Sequence, residues 1–387
     1  MIRNLAVLNI AEMFERFTYY GVRSILLLFL IKGLLWSNTD AIEFYGTFTM
    51  IIYFTSIMGG VLTDVTRKPA LIAVIGNSLT TIGVFLLAMA DSPWLLYIAA
   101  GSLTLGAGLF KPSIIAALFR VSFTHKHRLD LIFTIFYCAI NLGALVAPWV
   151  IGSFGDTGNP ANFRLGFAVA GCFSLIPTVL LANSYKNLIS NDLLYDNQTF
   201  RSSDIGVTNI MLCFLLGVIF WLAYALFPVF MDASGDYSST IAVTIAGFIF
   251  YLVMIPLHLI RNFRSALKIS IGILMVAFVC IIYPMLKLPP VSGLLLLAVA
   301  EVLIIPVMWS QLIQNVSPRF TGIIMSALMF LTLCVNKAAA ALNAASTDEQ
   351  PPILYILAGL CVGLMCGFLL LDHFQKKREL DLPQQLN

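Results

Sequence analysis

Seven ionisable side chains stand inside otherwise apolar stretches of this sequence: Glu12, Glu15, Arg16, Arg23, Lys111, Glu301 and Lys337. Left unpaired at the centre of a membrane-spanning helix, each would cost about 2.5–3.5 kcal/mol, so they must pair, hydrate or face a cavity. The densest group lies near the amino terminus. At about 100° per residue, Glu12, Glu15, Arg16, Tyr19, Tyr20 and Arg23 share one stripe of a helix, which is expected to line a central pathway. Glu12 and Arg16, four residues apart, are spaced for an intrahelical ion pair. Glu15 then supplies a second carboxylate with few cations near it, and one of the two can be protonated reversibly. Arg16 and Lys111, set against Glu301 from the other end of the sequence, would place opposite charges on opposite walls of one cavity. Such a cavity suits a solute with an amine at one end and a carboxylate at the other, as in free peptides and amino acids.

These side chains need helices long enough to cross a bilayer, and the composition provides them. Of 387 residues, 60% are hydrophobic and 11% charged, against about 25% charged in a soluble domain. Apolar runs separated by turn and charge clusters predict twelve helices, at 5–34, 40–63, 69–90, 93–121, 130–153, 162–185, 205–231, 237–260, 265–286, 289–315, 319–343 and 352–374. The fold class expected is therefore an all-α membrane protein of two six-helix bundles, residues 1–186 and 205–387. They are joined by a polar linker over 187–204. Two bundles around a central site are the arrangement that rocking-type transport uses.

Of the 22 lysines and arginines, four lie within spans. Fifteen fall at one set of turns, and only Lys32, Arg164 and Lys287 at the other. The positive-inside rule then predicts cytoplasmic termini and a multi-pass protein of the plasma (inner) membrane. The charged first helix is unlike a cleavable signal sequence and is expected to stay. Asn197-Gln198-Thr199 would fall on the inner side. The seven cysteines lie in apolar segments without metal-type spacing and read as small buried hydrophobes. His125, His127, His258 and His373 have no ligand or triad spacing and read as solvated or interfacial. No enzymatic constellation and no metal site are expected.

The stretch Glu12-Met-Phe-Glu15-Arg16-Phe17-Thr-Tyr19-Tyr20-Gly21 matches the E-x-x-E-R-F-x-Y-Y-G signature of proton-dependent oligopeptide transporters, the POT/PTR family of the major facilitator superfamily. The resemblance continues through Val22-Arg23, Tyr53 ahead of Gly59-Gly60, and Gly106-Ala-Gly108-Leu-Phe-Lys111-Pro112. It extends to Phe136-Tyr137-Cys-Ala-Ile140-Asn141-Leu-Gly143, Ala300-Glu301 through Pro306, and Val316-Ser-Pro318-Arg319. Gly59 to Lys68 resembles the superfamily's G-x-x-x-D-[RK]-x-G-[RK] loop, with Asp64 at a helix end where it can meet basic groups.

The resemblance implies proton-coupled symport of di- and tripeptides by alternating access, driven by the proton gradient without a cofactor. Glu12, Glu15, Arg16 and Glu301 would couple the proton. The peptide carboxylate would sit near Arg16 and Lys111 and its amine near Glu301, with Tyr19, Tyr20, Tyr53, Asn141 and Trp221 shaping the pocket. Arg23 and Asp64 would gate, together with Lys337, a cation for which the family pattern gives no partner. The seventh helix departs from the pattern, because Ala225 stands where the family has an acid opposite Arg23. The partners expected are small peptides, protons and the bilayer, with no nucleic acid and a monomeric carrier. A non-peptide anion as cargo, or a transport-inactive sensor on the same fold, are the alternatives.

Overall fold

The structure, a computed structural model, describes residues 2–196, 204–230, 237–260, 263–286, 290–345 and 352–381. Among them run twelve α-helices: α1 Ile2–Leu28, α2 Asn38–Thr66, α3 Pro69–Ala88, α4 Pro93–Ser122, α5 Leu129–Gly155, α6 Phe163–Asp196, α7 Asp204–Phe230, α8 Tyr237–Ile260, α9 Ser265–Leu286, α10 Pro290–Gln314, α11 Thr321–Ala345 and α12 Pro352–Asp381. The described residues contain no strand. Nine of the helices are long and apolar enough to cross a membrane, and α8 and α9 carry shorter apolar stretches over Thr244–Ile260 and Ser265–Ile281. Glu12, Glu15, Arg16 and Arg23 set α1 apart from these.

Local chemistry fixes the ends. Ser37 caps α2 by accepting from the amide of Asp40, and Ser92 caps α4 ahead of Pro93, whose missing N–H is harmless in a first turn. The α2–α3 turn is made by Arg67 in the left-handed region (φ 54°), its amide returning to the carbonyl of Thr63. Helix α6 runs past the expected span end to Asp196, so the stretch read as a linker over 187–204 is helical through that residue. No proline or glycine follows Pro177 to stop it, Leu188 is buried, and Asn4 on α1 donates to the carbonyl of Asn187. Residues 197–203 of that linker, with Asn197-Gln198-Thr199 and Arg201, lie outside the described residues.

The chain forms two compact units that depart from the sequence halves in two places. The first unit holds residues 1–126, 136–200 and 318–330, and the second holds 127–135, 201–317 and 331–387. The first turns of α5 and α11 thus each belong to the unit that does not hold the rest of their helix. In the first unit, α3 packs on α4 and α6, and α1 packs on α6. Its apolar core gathers Phe17, Ile25, Phe29, Leu87, Ile151 and Phe167, with the rings of Phe29 and Phe167 edge to face at 5.2 Å. In the second unit, α9 packs on α10 and α12, and Phe220, Phe227, Tyr251 and Leu297 are buried. Ile245, Ile249, Leu252 and Val253 of α8 and Ile271, Leu274 and Phe278 of α9 are exposed. Apolar faces of that extent belong in lipid.

Candidate solute and proton site

The first unit brings together most of the residues singled out on α1. Glu12 and Glu15 are 0% exposed, and Arg16 is buried beside them. The expected Glu12–Arg16 ion pair is present, but the hydrogen bonds divide differently. Arg16 puts its fork on Glu15, with Nε donating to Oε2 at 2.5 Å and Nη2 to Oε1 at 2.7 Å. Glu12 instead accepts from Lys111 Nζ of α4 at 2.8 Å, while Arg16 Nε stays 3.6 Å from the same oxygen. A planar guanidinium serves one carboxylate in two-pronged fashion, whereas an ammonium is a point charge that needs a single oxygen. Helical spacing alone cannot rank the two carboxylates once Lys111 enters from another helix.

Glu12 Oε2 has no hydrogen-bond partner among the described residues although it is buried. A buried carboxylate oxygen without a donor is costly. The cluster is held in place from α5. A Cβ on Gly143 would lie 2.3 Å from the carbonyl oxygen of Met13 and 3.2 Å from Arg16 Cβ, so only glycine lets α5 approach α1 this closely.

One turn further on, Arg16 lies over the ring of Tyr19 at 4.7 Å, and Tyr19 meets Tyr20 edge to face at 5.2 Å. Arg23 lies against two tyrosine rings, Tyr19 at 5.4 Å and Tyr45 at 5.2 Å. It donates from Nε to the Tyr45 hydroxyl at 2.9 Å and from Nη1 to the Tyr19 hydroxyl at 3.2 Å. Among the described residues no carboxylate forms an ion pair with Arg23. Tyr45 was missed in the sequence; the signal available was its position on α2 eight residues before Tyr53. Tyr53 is half-buried on α2, and Asn141 donates to the Tyr137 carbonyl of its own helix at 2.9 Å.

The remaining residues of the expected site belong to the second unit. Glu301 is half-buried on α10. Trp221 is half-buried on α7 within an aromatic group, 5.3 Å from the ring of Phe220 and 5.7 Å from that of Tyr224. Lys337 is exposed on α11.

Two further clusters dock first turns. Asp64 was expected to meet basic groups, but its two oxygens accept from backbone amides at the start of α11, Gly322 at 2.7 Å and Ile323 at 2.8 Å. Those are the unpaired donors that every helix N-terminus carries. Gly60 makes the approach feasible, since a Cβ there would lie 2.2 Å from Ser326 Oγ and 2.5 Å from the Gly322 carbonyl oxygen. In the second unit, Asp130 at the start of α5 accepts from Lys268 Nζ and from Ser265 Oγ, both on α9. His258 of α8 joins them. It is buried and bonded to Lys268 in the last turn of α8, so of the two readings, solvated or interfacial, the first does not hold. The sequence places His258 and Lys268 ten residues apart across a turn, a separation that carries no signal of contact.

The helical architecture is that of an all-α membrane protein with the major facilitator fold. A solved POT family transporter in complex with 5-aminolevulinic acid matches the fold with a TM-score of 0.62 at 18% identity, over 97% of this chain and 96% of that one. The family model described as the POT family matches residues 70–193. That match and the α1 signature make the chain similar to the POT family over part of its length. Over 210 residues it is 31% identical to the uncharacterized transporter YclF of Bacillus subtilis (strain 168), covering 53% of this chain and 42% of that protein. Over 149 residues it is 36% identical to dipeptide and tripeptide permease B of Salmonella typhimurium (strain LT2), covering 37% of this chain and 30% of the permease. These matches span about half or less of the relatives' length.

Proposed function

We propose that this chain carries di- and tripeptides across the plasma (inner) membrane together with protons, by alternating access and as a monomer, with both termini cytoplasmic. The observation that carries the reading is the α1–α4 cluster: two fully buried carboxylates divided between two cations, with one oxygen of Glu12 left unpartnered. A proton on Glu15 would release the guanidinium of Arg16, and one on Glu12 would release Lys111. Either cation is then available to a peptide carboxylate, so cargo and proton favour the same state of the site. Glu301 is assigned to the peptide amine. The orientation rests on the distribution of basic residues, and the class of cargo agrees with the permease named above.

The test is uptake of a labelled dipeptide into proteoliposomes with the outside acidic. Wild type should accumulate it, and Glu301→Gln and Lys111→Gln should each lower the rate by about tenfold or more. Unchanged uptake in Glu301→Gln removes the amine site, and no uptake by wild type removes the peptide. A second reading, transport of a non-peptide anion, is favoured by Arg23, which tyrosines rather than a carboxylate hold. Nitrate or an organic acid that competes with the labelled dipeptide would favour it.

A further inference from the structure

His258 stands on the last turn of α8 with both ring nitrogens engaged. Nδ1 lies 2.8 Å from the carbonyl oxygen of Met254, a group that only accepts, so Nδ1 carries the hydrogen. Nε2 lies 3.1 Å from Lys268 Nζ, an ammonium that only donates, so Nε2 presents its lone pair. The contacts therefore require the neutral ring in one tautomer. Lys268 is 3% exposed and also donates to Asp130, which accepts from Ser265 Oγ at 2.7 Å. The charged groups acting on the ring are Lys268 from α9 and Asp130 from α5. One anion and one cation leave the cluster neutral.

We propose that His258 is a proton-binding site, separate from the carboxylates of α1, whose occupation unlocks the first turn of α5 from α9. A proton taken from water forms a new N–H bond at Nε2. It removes the acceptor that Lys268 uses and leaves two cations 3.1 Å apart in a buried site. The cluster then carries a net positive charge with too little water to disperse it. The relief is outward movement of Lys268, and with it goes the ion pair that holds Asp130. The released segment is the one whose contacts already differ from the rest of its helix, since residues 127–135 belong to the second unit and the residues from 136 onward to the first. Acid on the side where α5 begins thus frees this segment from α9, whatever the cargo.

The experiment is amide hydrogen exchange of the full chain in lipid nanodiscs, corrected for the intrinsic pH dependence of exchange, at about pH 8 and about pH 5.5, the interval over which histidine changes charge. Exchange over residues 129–135 should quicken about tenfold at the acid value, as a local opening would make it. His258→Gln, which keeps an acceptor for Lys268 and cannot be protonated, should remain slow at both. His258→Lys should be fast at both. Exchange over residues 321–325, docked by Asp64, serves as the control for folding and should not change. An acid response in His258→Gln equal to that of wild type, or none in wild type, overturns the proposal.

Discussion

The first turns of α5 and α11 do the same mechanical work with different chemistry. Each belongs to the unit that does not hold the rest of its helix, and each is docked through one aspartate. On α11 the aspartate comes from outside the helix and takes two backbone amides, with glycines at 60 and 322 allowing the approach. On α5 the aspartate belongs to the helix itself and takes a lysine that a histidine also holds. Backbone amides do not titrate and cannot swing away. An ammonium has alternatives, and its neighbouring imidazole can take a proton. The contrast separates a docking that geometry maintains from one that solution conditions can release.

The largest effect should come from breaking the α5 docking at its charge. Lys268→Met leaves Asp130 buried without its cation, a loss of about 3–5 kcal/mol. Thermal unfolding in detergent should register it, and adding Asp130→Leu should recover most of it, because an apolar pair needs no counterion. A single variant that melts like wild type would mean that packing, not the ion pair, docks α5.

Asp64→Asn should cost less, about 1.5–3 kcal/mol, since the amide oxygen can still serve one backbone N–H while the NH2 group opposes the other. Its cost should not depend on His258, so the same change in a His258→Gln background should cost the same. A cost that changes with His258 would erase the distinction between the two dockings. The smallest effect belongs to Arg164→Gln. Its pair with Asp91 is exposed, 44% and 72% by side chain, so the loss should stay below about 1 kcal/mol and vanish at high salt. The Lys268 pair, with 3% and 10% exposure, should keep its contribution in salt.

The helices were legible because lipid demands long apolar runs, and their punctuation is local: Ser92-Pro93 before α4, Pro69 after the α2–α3 turn. The exception, α6, ran on because the cue for stopping it was only polarity, which a helix with Leu188 buried tolerates. The membership of the site on α1 was legible too, since one helix orders Glu12, Glu15, Arg16 and Tyr19 by its own period. The division of hydrogen bonds was not. Which carboxylate Arg16 engages depends on Lys111 arriving from α4, and Tyr45 reaches Arg23 from α2. Asp64 gave no sign that its partners were amides, because backbone groups have no letter in the sequence. His258 was read by its motif neighbours along the chain, whereas its meaning comes from Lys268 and Asp130 on two other helices.

The exchange of first turns also sets an order of assembly. Synthesis runs from the amino terminus, so α5 is complete well before α8 and α9 exist, and Asp130 has neither Lys268 nor Ser265 to meet at that stage. The opening helices cannot mature as an independent module. They wait with an unsatisfied acid for the later part of the chain, and they in turn hold Asp64 ready for a helix, α11, that emerges later still.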